Sequence, residues 1–475
     1  MKKSNPTLVA LSIAGLSIIG NPSYSQTQIW GMTVSGGANN NGTFVMAEPA
    51  NNVFHSMYSF IDSIGSGPVG NLVFAPNGKF YGITLFGGCQ DSCVCFSYDP
   101  TTGIFNDFHD FYCNLINGYS SSCGMTLSPD GYLYGLCPLG GANGAGVIYR
   151  VDPSTDTYAD IYDFPYSTAG VMPTGTLKVM NNGLLYGMTN YMGNQGLGVI
   201  FNFNPCDSTY TELHSFDSAT GGNPQFGGMI RASDGKLYGM TYMGGAHSYG
   251  TIFSYDTTTN TYADVHDFDS LSGAFPYGGL IQAKDRNLYG MTWHGGAYNK
   301  GTIFNFDIFT GVYTDLVDFN GANGAYPQRD LLLASNGKLY GVTAYGGATN
   351  QGVIFDYNIS AHLYTVLINM QDSIGYNPDC VLIETPAIVP GMASITKKEI
   401  ISIFPNPSTA LITIHQSTYC ANQQLMIIDI FGNTIYQQNL IGNDNNIDVS
   451  NWGEGVYFYQ IINENGIWRG KFVKA

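Results

Sequence analysis

Nine aromatic and polar residues have side chains suited to binding a ligand. They lie in segments of the chain that resemble one another, at positions where these segments differ in sequence. They are Tyr242, His247, Tyr249, Trp293, His294, Tyr298, Arg329, Asp330 and Tyr345. Aromatic faces with a few hydrogen-bonding groups suit a sugar ring or the surface of another protein. The sequence therefore predicts a binding site for a glycan or a protein partner. Alternatively, each aromatic ring packs between neighbouring segments and has a structural role.

Catalytic and metal-binding arrangements are not assigned. The sequence has no H-E-x-x-H motif and no EF-hand loop. A Ser-His-Asp triad is recognised by geometry, and nothing singles out a pair of carboxylates for glycoside chemistry. Several carboxylates and imidazoles recur at one position of successive stretches, which favours a structural role: Asp110, Asp163, Asp267, Asp318, His109, His214 and His266. We expect no catalytic residue, metal or cofactor.

The Gly-Gly pairs and the net charge argue against phosphate ligands. A phosphate-binding loop opens a helix, whereas Gly244-Gly245 joins two short runs with the composition of strands. The formal charge is −17 and no basic stripe is present. Binding to nucleic acid is therefore not expected.

The candidate side chains lie within a repeat that must position them. Each copy contains an aromatic residue followed by Gly, and the copies are spaced by 51 to 53 residues. The pairs are Trp30-Gly31, Tyr81-Gly82, Tyr134-Gly135, Tyr186-Gly187, Tyr238-Gly239, Tyr289-Gly290 and Tyr340-Gly341. So regular a period indicates repeated supersecondary units.

The unit around Lys236–Asp269 predicts four antiparallel strands, named A to D in chain order. Asn-Gly or Asp-Gly turns separate A from B, and Thr/Asn turns separate C from D. Four strands repeated about every 50 residues are typical of a propeller blade. The longer B–C and D–A loops carry the candidate side chains, and long loops on a rigid scaffold often carry function.

The two ends of the repeated region predict a closed ring. Gln28–Thr33 has the pattern of a strand B without a preceding strand A, and Cys380–Glu384 that of a strand A without a following strand B. Pairing these two segments would complete a seventh blade and remove the exposed sheet edges. The predicted fold is all-β: a seven-bladed β-propeller closed by its terminal strands, followed by a small β-sandwich.

The repeat resembles the GloVer-type tandem repeat of exported bacterial proteins. The matching segments are Leu237–Thr241, Gly244–Ala246 and Gly250–Phe253, and the resemblance covers about Ile29 to Glu384. It implies an exported, propeller-like repeat and little about activity.

The end of the chain is similar to the C-terminal sorting domain of the type IX secretion system. The similarity includes Phe404-Pro405-Asn406-Pro407, Gly455-Val456-Tyr457-Phe458 and the closing Lys471-Phe472-Val473-Lys474. It implies a small β-sandwich recognised by the type IX export machinery of certain Gram-negative bacteria. The predicted domains are the propeller at 26–384, a linker at 385–398 and the sorting domain at 399–475.

The first 25 residues read as a signal peptide, because Lys2 and Lys3 precede an apolar run and small residues follow it. No later stretch is apolar enough to cross a bilayer. Export makes disulfides possible, and six clustered cysteines are the candidates: Cys89, Cys93, Cys95, Cys113, Cys123 and Cys137. A structural zinc site is the alternative use of these thiols.

Together these features predict an exported, non-enzymatic propeller that presents a binding face to a glycan or a protein. It would be secreted or attached to the outer surface of a Gram-negative cell. A carbohydrate-active enzyme on the same scaffold and a structural surface component are the alternatives, because fold alone does not decide function.

Overall fold

The computed structural model describes residues 27–49, 53–88, 93–111, 123–166, 169–386, 401–404, 407–416, 424–429, 433–440, 444–463 and 466–475. These residues are almost entirely β, with one short 3-10 helix at Asp62–Ile64. The predicted signal peptide lies outside the described residues. Among the described residues, no helix is long and apolar enough to span a membrane.

Each repeat forms one antiparallel sheet with its strands in the order A-B-C-D, and the sheets are numbered 1 to 7 by the position of strand B. Strands A are Ile383–Thr385, Ser66–Phe74, Thr126–Leu127, Val171–Val179, Ile230–Arg231, Ile281–Gln282 and Leu332–Leu333. Strands B are Gln28–Thr33, Phe80–Phe86, Leu133–Cys137, Leu185–Tyr191, Leu237–Thr241, Leu288–Thr292 and Lys338–Thr343. Strands C are Thr43–Glu48, Val94–Asp99, Val147–Asp152, Val199–Asn204, Thr251–Asp256, Thr302–Phe306 and Val353–Asn358. Strands D are Val53–Ser59, Ile104–Asp110, Thr157–Asp163, Thr209–Ser215, Thr261–Asp267, Tyr313–Asp318 and Leu363–Asn369.

The aromatic-Gly pair has a packing role that sheet 5 illustrates. The Tyr238 hydroxyl donates to Asp234 Oδ2 at 2.9 Å, which ties strand B to the Asp-Gly turn before it. A Cβ on Gly239 would come within 2.5 Å of the Phe253 ring on strand C. The pair therefore recurs because the glycine leaves room for the aromatic ring that fills the core.

Neighbouring sheets stack through rings on their outer strands. His109, His214 and His266 lie nearly parallel to tyrosines of the next sheet, with centroid distances of 3.7, 3.9 and 4.2 Å. Burial lowers the pKa of His109 to about 4, which keeps its ring neutral at neutral pH. These histidines pack between sheets, as their recurrence predicted.

The recurring aspartates at the ends of strands D also have the predicted structural role. Asp163, Asp267 and Asp318 each accept a hydrogen bond at 2.7 Å from the backbone N–H of the alanine that follows the Gly-Gly pair. The carboxylates therefore stabilise the B–C loops of their own sheets through these hydrogen bonds.

The inner strands bring the two ends of the repeated region together. Ile383–Thr385 pairs antiparallel with Gln28–Thr33 and completes sheet 1. Cys380–Val381 pairs instead in parallel with Gly70 and Asn71 of sheet 2, which the sequence did not predict. The segment at 380–385 therefore joins the strands A of two successive sheets.

The C-terminal segment forms two further sheets. Their strands are Ile401–Phe404, Leu411–Gln416, Gln424–Ile428, Thr434–Asn439, Asp444–Asp448, Gly455–Asn463 and Gly466–Lys474. Side chains from both sheets, including Ile414, Leu425 and Phe472, share one core of buried residues. This arrangement matches the predicted small sandwich.

The predicted disulfides do not occur between the cysteines that the structure describes. Cys95, Cys123 and Cys137 are buried free thiols, and Cys89 and Cys113 lie outside the described residues. The Cys93 thiol donates to the Leu85 carbonyl at 3.3 Å. Burial raises the pKa of the Cys95 and Cys137 thiols well above its usual value, which makes them poor nucleophiles.

Candidate functional site

Trp293 lies at the centre of a half-buried group of rings that we call the aromatic patch. Its members are Phe226, Tyr242, Phe275, Tyr277, Trp293, His294 and Tyr326. The Trp293 ring lies 5.2 Å from Tyr277, 6.5 Å from Tyr242 and 6.4 Å from Tyr326. The patch extends across five loops, the three D–A loops that lead into sheets 5, 6 and 7 and the B–C loops of sheets 5 and 6, so residues distant in sequence meet on one rim.

Strand B and the D–A loop position these rings through backbone hydrogen bonds. Trp293 and His294 directly follow strand B of sheet 6. His294 exchanges two backbone hydrogen bonds with Ala274, at 2.8 and 3.0 Å. The Phe275 N–H donates to the Tyr249 carbonyl of sheet 5 at 2.8 Å. The rings are therefore attached to the rigid edges of two sheets.

Two members of the patch have an unusual backbone conformation. Phe275 and Tyr326, each followed by proline, have φ of 54° and 57°. The equivalent residues in other repeats are Gly67, Asn223 and Asn377, whose types tolerate this region, and Met172, which is also bulky and has φ of 56°. A bulky residue there costs on the order of 1–3 kcal/mol, and such strain is often found at functional sites.

An open cleft of about 450 Å³ lies beside the patch, between sheets 5 and 6. It is lined by Tyr249, Ser270, Ala274, Phe275, His294 and Asn299. Small-molecule sites commonly have volumes of about 300–1,000 Å³. Trp293 Nε1 and His294 Nδ1 are buried and have no hydrogen-bond partner among the described residues. An unsatisfied polar atom of this kind costs about 1–3 kcal/mol.

Arg329 and Asp330 belong to the inner wall behind the patch. The Arg329 side chain is 4% exposed, and it binds both oxygens of Asp379 at 2.5 and 3.0 Å. Its guanidinium also lies 4.6 Å from the centre of the Phe226 ring. Asp330 accepts a hydrogen bond from the Gly279 N–H at 2.5 Å, and burial raises its pKa. Both groups are thus occupied by the protein, and Arg329 lies beneath the surface that a ligand would contact.

The other predicted side chains divide into two groups. Tyr242, Tyr249, Trp293 and His294 join the patch or its cleft, and Tyr345 extends it through a 6.1 Å contact with Tyr326. His247 and Tyr298 are exposed, and no ring contact links them to the patch among the described residues.

Sequence reasoning missed Phe226, Phe275, Tyr277 and Tyr326. Three of these flank the proline of a D–A loop, in Phe275-Pro276-Tyr277 and Tyr326-Pro327. Replacement of the Asn or Gly found before this proline in other repeats was the signal that could have identified them.

The structure offers little for metal chemistry at this rim. No group of three or more His, Cys, Asp or Glu side chains in the described part of the chain is placed to hold a metal ion. The carboxylates nearest the patch, Asp330 and Asp379, are bound to Gly279 and Arg329. What the patch offers is aromatic faces with a few polar groups.

Comparison with known protein families gives two matches along the chain. The model of the Gloeobacter/Verrucomicrobia repeat matches residues 20–230 and 220–399. The model of the secretion system C-terminal sorting domain matches residues 402–475. No curated protein matches the sequence.

Solved structures with similar folds have little sequence identity to this chain. A proposed 6-phosphogluconolactonase from Bacteroides fragilis has a TM-score of 0.52 and 15% identity, over 76% of this chain and 98% of that one. A second, from Bacteroides uniformis, has a TM-score of 0.52 and 13% identity, over 76% and 99%. PorZ, a surface component of the type IX secretion system of Porphyromonas gingivalis, has a TM-score of 0.44 and 13% identity. The match to PorZ covers 91% of this chain and 63% of PorZ. At these identities the likeness to the two structures with a TM-score of 0.52 describes an all-β, propeller-like fold and nothing more.

Proposed function

Because the chain belongs to the Gloeobacter/Verrucomicrobia repeat family and ends in a type IX sorting domain, we propose that it is a carbohydrate-binding protein of the cell exterior. The sorting domain implies secretion to the outer surface, and the repeats have a propeller-like fold. The proposed role is recognition without catalysis, with the aromatic patch as the binding face.

The observation that supports binding is the convergence of half-exposed rings around Trp293. Packing alone would favour full burial of a tryptophan and a partner for its N–H. Trp293 instead keeps part of its surface exposed, and its Nε1 has no partner among the described residues. A sugar offers an apolar ring face for stacking together with hydroxyl groups, and this combination suits the patch.

We further propose a closed, seven-bladed propeller as the scaffold. The pairing of Ile383–Thr385 with Gln28–Thr33 supports closure, because sheet 1 then takes strand A from the C-terminal end of the repeated region and its other strands from the N-terminal end. The proposed domains remain a signal peptide at 1–25, the propeller at 26–384, a linker at 385–398 and the sorting domain at 399–475. Deleting Cys380–Glu384 should open the ring and lower solubility through an exposed edge.

Binding is tested with the mature protein on an array of immobilised oligosaccharides. Stacking on one ring contributes about 1 kcal/mol beyond area burial, so Trp293→Ala should weaken binding about five-fold or more. The matched control is Tyr191→Ala, which removes a ring that is 46% exposed on the same rim of sheet 4. The control should bind like the wild type.

The same comparison separates a binding residue from a packing residue. Loss of several kcal/mol of unfolding free energy in Trp293→Ala, as for a core deletion, would make Trp293 a packing residue and would contradict the proposal. If the array shows no binding and Trp293→Ala instead abolishes capture of a purified surface protein, the ligand is a protein. Release of reducing sugar from a polysaccharide would establish the enzymatic alternative.

The proposed export route is tested separately. A chain lacking 399–475 should remain in the periplasm of a host with the type IX machinery, and normal secretion of this truncation would overturn the route. Mass spectrometry of the secreted protein should find an N-terminus near residue 26. An intact leader would contradict the proposed signal peptide.

A further inference from the structure

We infer that the cleft between sheets 5 and 6 is a subsite for an uncharged sugar unit, next to the stacking surface at Trp293. This inference rests on the proposed carbohydrate-binding function. It adds that the ligand is uncharged and that one of its sugar units binds in this cleft. Four observations support it: the chemistry of the lining, the charges nearby, the strained backbone at Phe275 and the contrast with an equivalent cleft.

The lining of the cleft combines aromatic faces with polar groups and contains no carboxylate, lysine or arginine side chain among the described residues. Tyr249 and Phe275 meet edge to face at 5.3 Å and form an aromatic wall. Ser270, His294 and Asn299 supply the polar groups. Asn299 Oδ1 already accepts from the Gly295 N–H at 3.0 Å, so its amide nitrogen is the group left for a ligand. Sugar hydroxyls can both donate to and accept from such groups.

The charges near the cleft disfavour an ionic ligand. Arg329 is buried against Asp379 and is not available to pair with a carboxylate or sulfate. Lys300, which follows the lining residue Asn299, donates from its ammonium to the Asn320 carbonyl at 3.2 Å. The protein carries a formal charge of −17, which repels polyanions. A quaternary ammonium would suit the rings, but it would offer no acceptor to the exposed amide nitrogen of Asn299. An uncharged, hydroxyl-rich ligand avoids both costs.

The left-handed backbone at Phe275 holds an aromatic ring beside the cleft. Asn223 and Asn377 occupy the equivalent position with φ of 50° and 51°, and asparagine tolerates that region. Phe275 has the same φ at a higher steric cost, and it presents its ring to Tyr242, Tyr249 and the cleft. Met172 has a similar φ of 56° in the cleft between sheets 3 and 4, so the feature that distinguishes Phe275 is the set of rings that it contacts beside the cleft.

An equivalent cleft between sheets 3 and 4 has the same backbone frame but a different lining. Its volume is about 400 Å³, and Met172 and Tyr191 occupy the positions of Phe275 and His294. Leu139, Val171 and Met192 complete a mainly apolar wall. The polar character of the cleft between sheets 5 and 6 therefore belongs to that site and is not a property of the repeat.

The test measures binding of two sets of soluble oligosaccharides by titration calorimetry. The neutral set contains cello-, xylo- and manno-oligosaccharides, and the acidic set contains oligogalacturonate and alginate oligomers. The wild type should bind at least one neutral compound more than tenfold tighter than any acidic one. His294→Ala and Asn299→Ala should each weaken that neutral binding about three- to tenfold, which corresponds to about 1 kcal/mol for a neutral hydrogen bond.

The matched controls are Met172→Ala and Tyr191→Ala in the equivalent cleft, which should bind like the wild type. His294→Gln keeps a polar side chain and serves as the second variant if His294→Ala fails to fold. Equal or tighter binding of the acidic set overturns the uncharged subsite, and so does unchanged neutral binding in the cleft variants. In either case loss of binding in Trp293→Ala still supports the carbohydrate-binding face. If neither set binds the wild type, the proposed function itself fails.

Discussion

The clefts between sheets 3 and 4 and between sheets 5 and 6 have the same backbone frame and opposite chemistry. In the first, the Met172 N–H donates to the Ala145 carbonyl at 2.9 Å; in the second, the Phe275 N–H donates to the Tyr249 carbonyl at 2.8 Å. Both residues before proline are left-handed, with φ of 56° and 54°. One cleft is lined mainly by aliphatic side chains and the other by aromatic and polar ones.

The difference shows how the repeat separates scaffold from function. Hydrogen bonds between backbone atoms hold the frame, so the side chains at five or six loop positions can change without altering it. The bulky left-handed residue is tolerated in both clefts. Of these two clefts, the one between sheets 5 and 6 has neighbouring loops that add rings in contact with this residue. A binding site can therefore arise between two of the sheets while the others keep a structural role.

The largest expected effect on stability comes from the buried ion pair between Arg329 and Asp379, which contrasts with the more exposed ion pair between Lys79 and Asp156. Asp379→Ala removes the partner of a buried guanidinium, so the unfolding free energy should fall by about 3–5 kcal/mol. Denaturant titration measures the change. Lys79→Ala is the control: it breaks an ion pair with Asp156 whose lysine is 35% exposed, and it should cost about 0–1 kcal/mol. Equal costs for the two variants would contradict a buried, structural Arg329.

Exchanging residues between the clefts tests the comparison directly. Phe275→Met with His294→Tyr gives the second cleft the residues of the first, and the lost ring and polar contacts should weaken oligosaccharide binding about tenfold or more. The reciprocal pair, Met172→Phe with Tyr191→His, is the control and should leave the affinity of the original site unchanged. Retained binding in the first pair would show that the lining does not decide the chemistry.

Relieving the strain should affect binding and stability differently. Phe275→Asn exchanges a costly left-handed residue for one that tolerates this conformation, a gain of about 1 kcal/mol that offsets the lost ring contacts. We expect a melting temperature close to that of the wild type and weaker oligosaccharide binding. Met172→Asn is the matched control, with unchanged binding. A steep loss of melting temperature in Phe275→Asn alone would show that its ring serves stability.

The smallest expected effect is a change in how stability depends on pH, caused by Asp264 on the outer strand D of sheet 5. Burial, followed by repulsion from Asp267, raises the pKa of Asp264 in sheet 5 from 3.8 to about 7. The folded state therefore keeps a proton that the unfolded state has lost, so this group adds stability as the pH falls through 7 toward 4. Asp264→Asn should raise the melting temperature at pH 8 and reduce its rise between pH 8 and 5. Glu212→Gln, at the equivalent position of sheet 4, is the control. An unchanged pH profile in Asp264→Asn would contradict the raised pKa.

Much of the fold follows from the sequence because its cause is local and repeated. The spacing of Tyr238-Gly239 and its counterparts predicts one sheet per repeat, since each glycine makes room for a ring such as Phe253 on the next strand. The segments at 401–475 predict a separate β-rich domain by their own motifs. The recurrence of Asp267 and His266 predicts a structural role, which the hydrogen bond to Ala246 and the stack on Tyr313 confirm.

The site could be predicted only in part, because it depends on which loops meet across sheets. Trp293, His294 and Tyr242 were found because they differ from their counterparts, and differing residues are visible in a repeat. Phe275 and Tyr326 were missed because their importance depends on a left-handed backbone and on neighbours more than 15 residues away in sequence. The guanidinium of Arg329 is a group that often binds ligands. Only the tertiary structure shows that this guanidinium is already paired with the Asp379 carboxylate. The period of the chain thus determines the scaffold, whereas the packing between sheets decides which polar groups remain for a ligand.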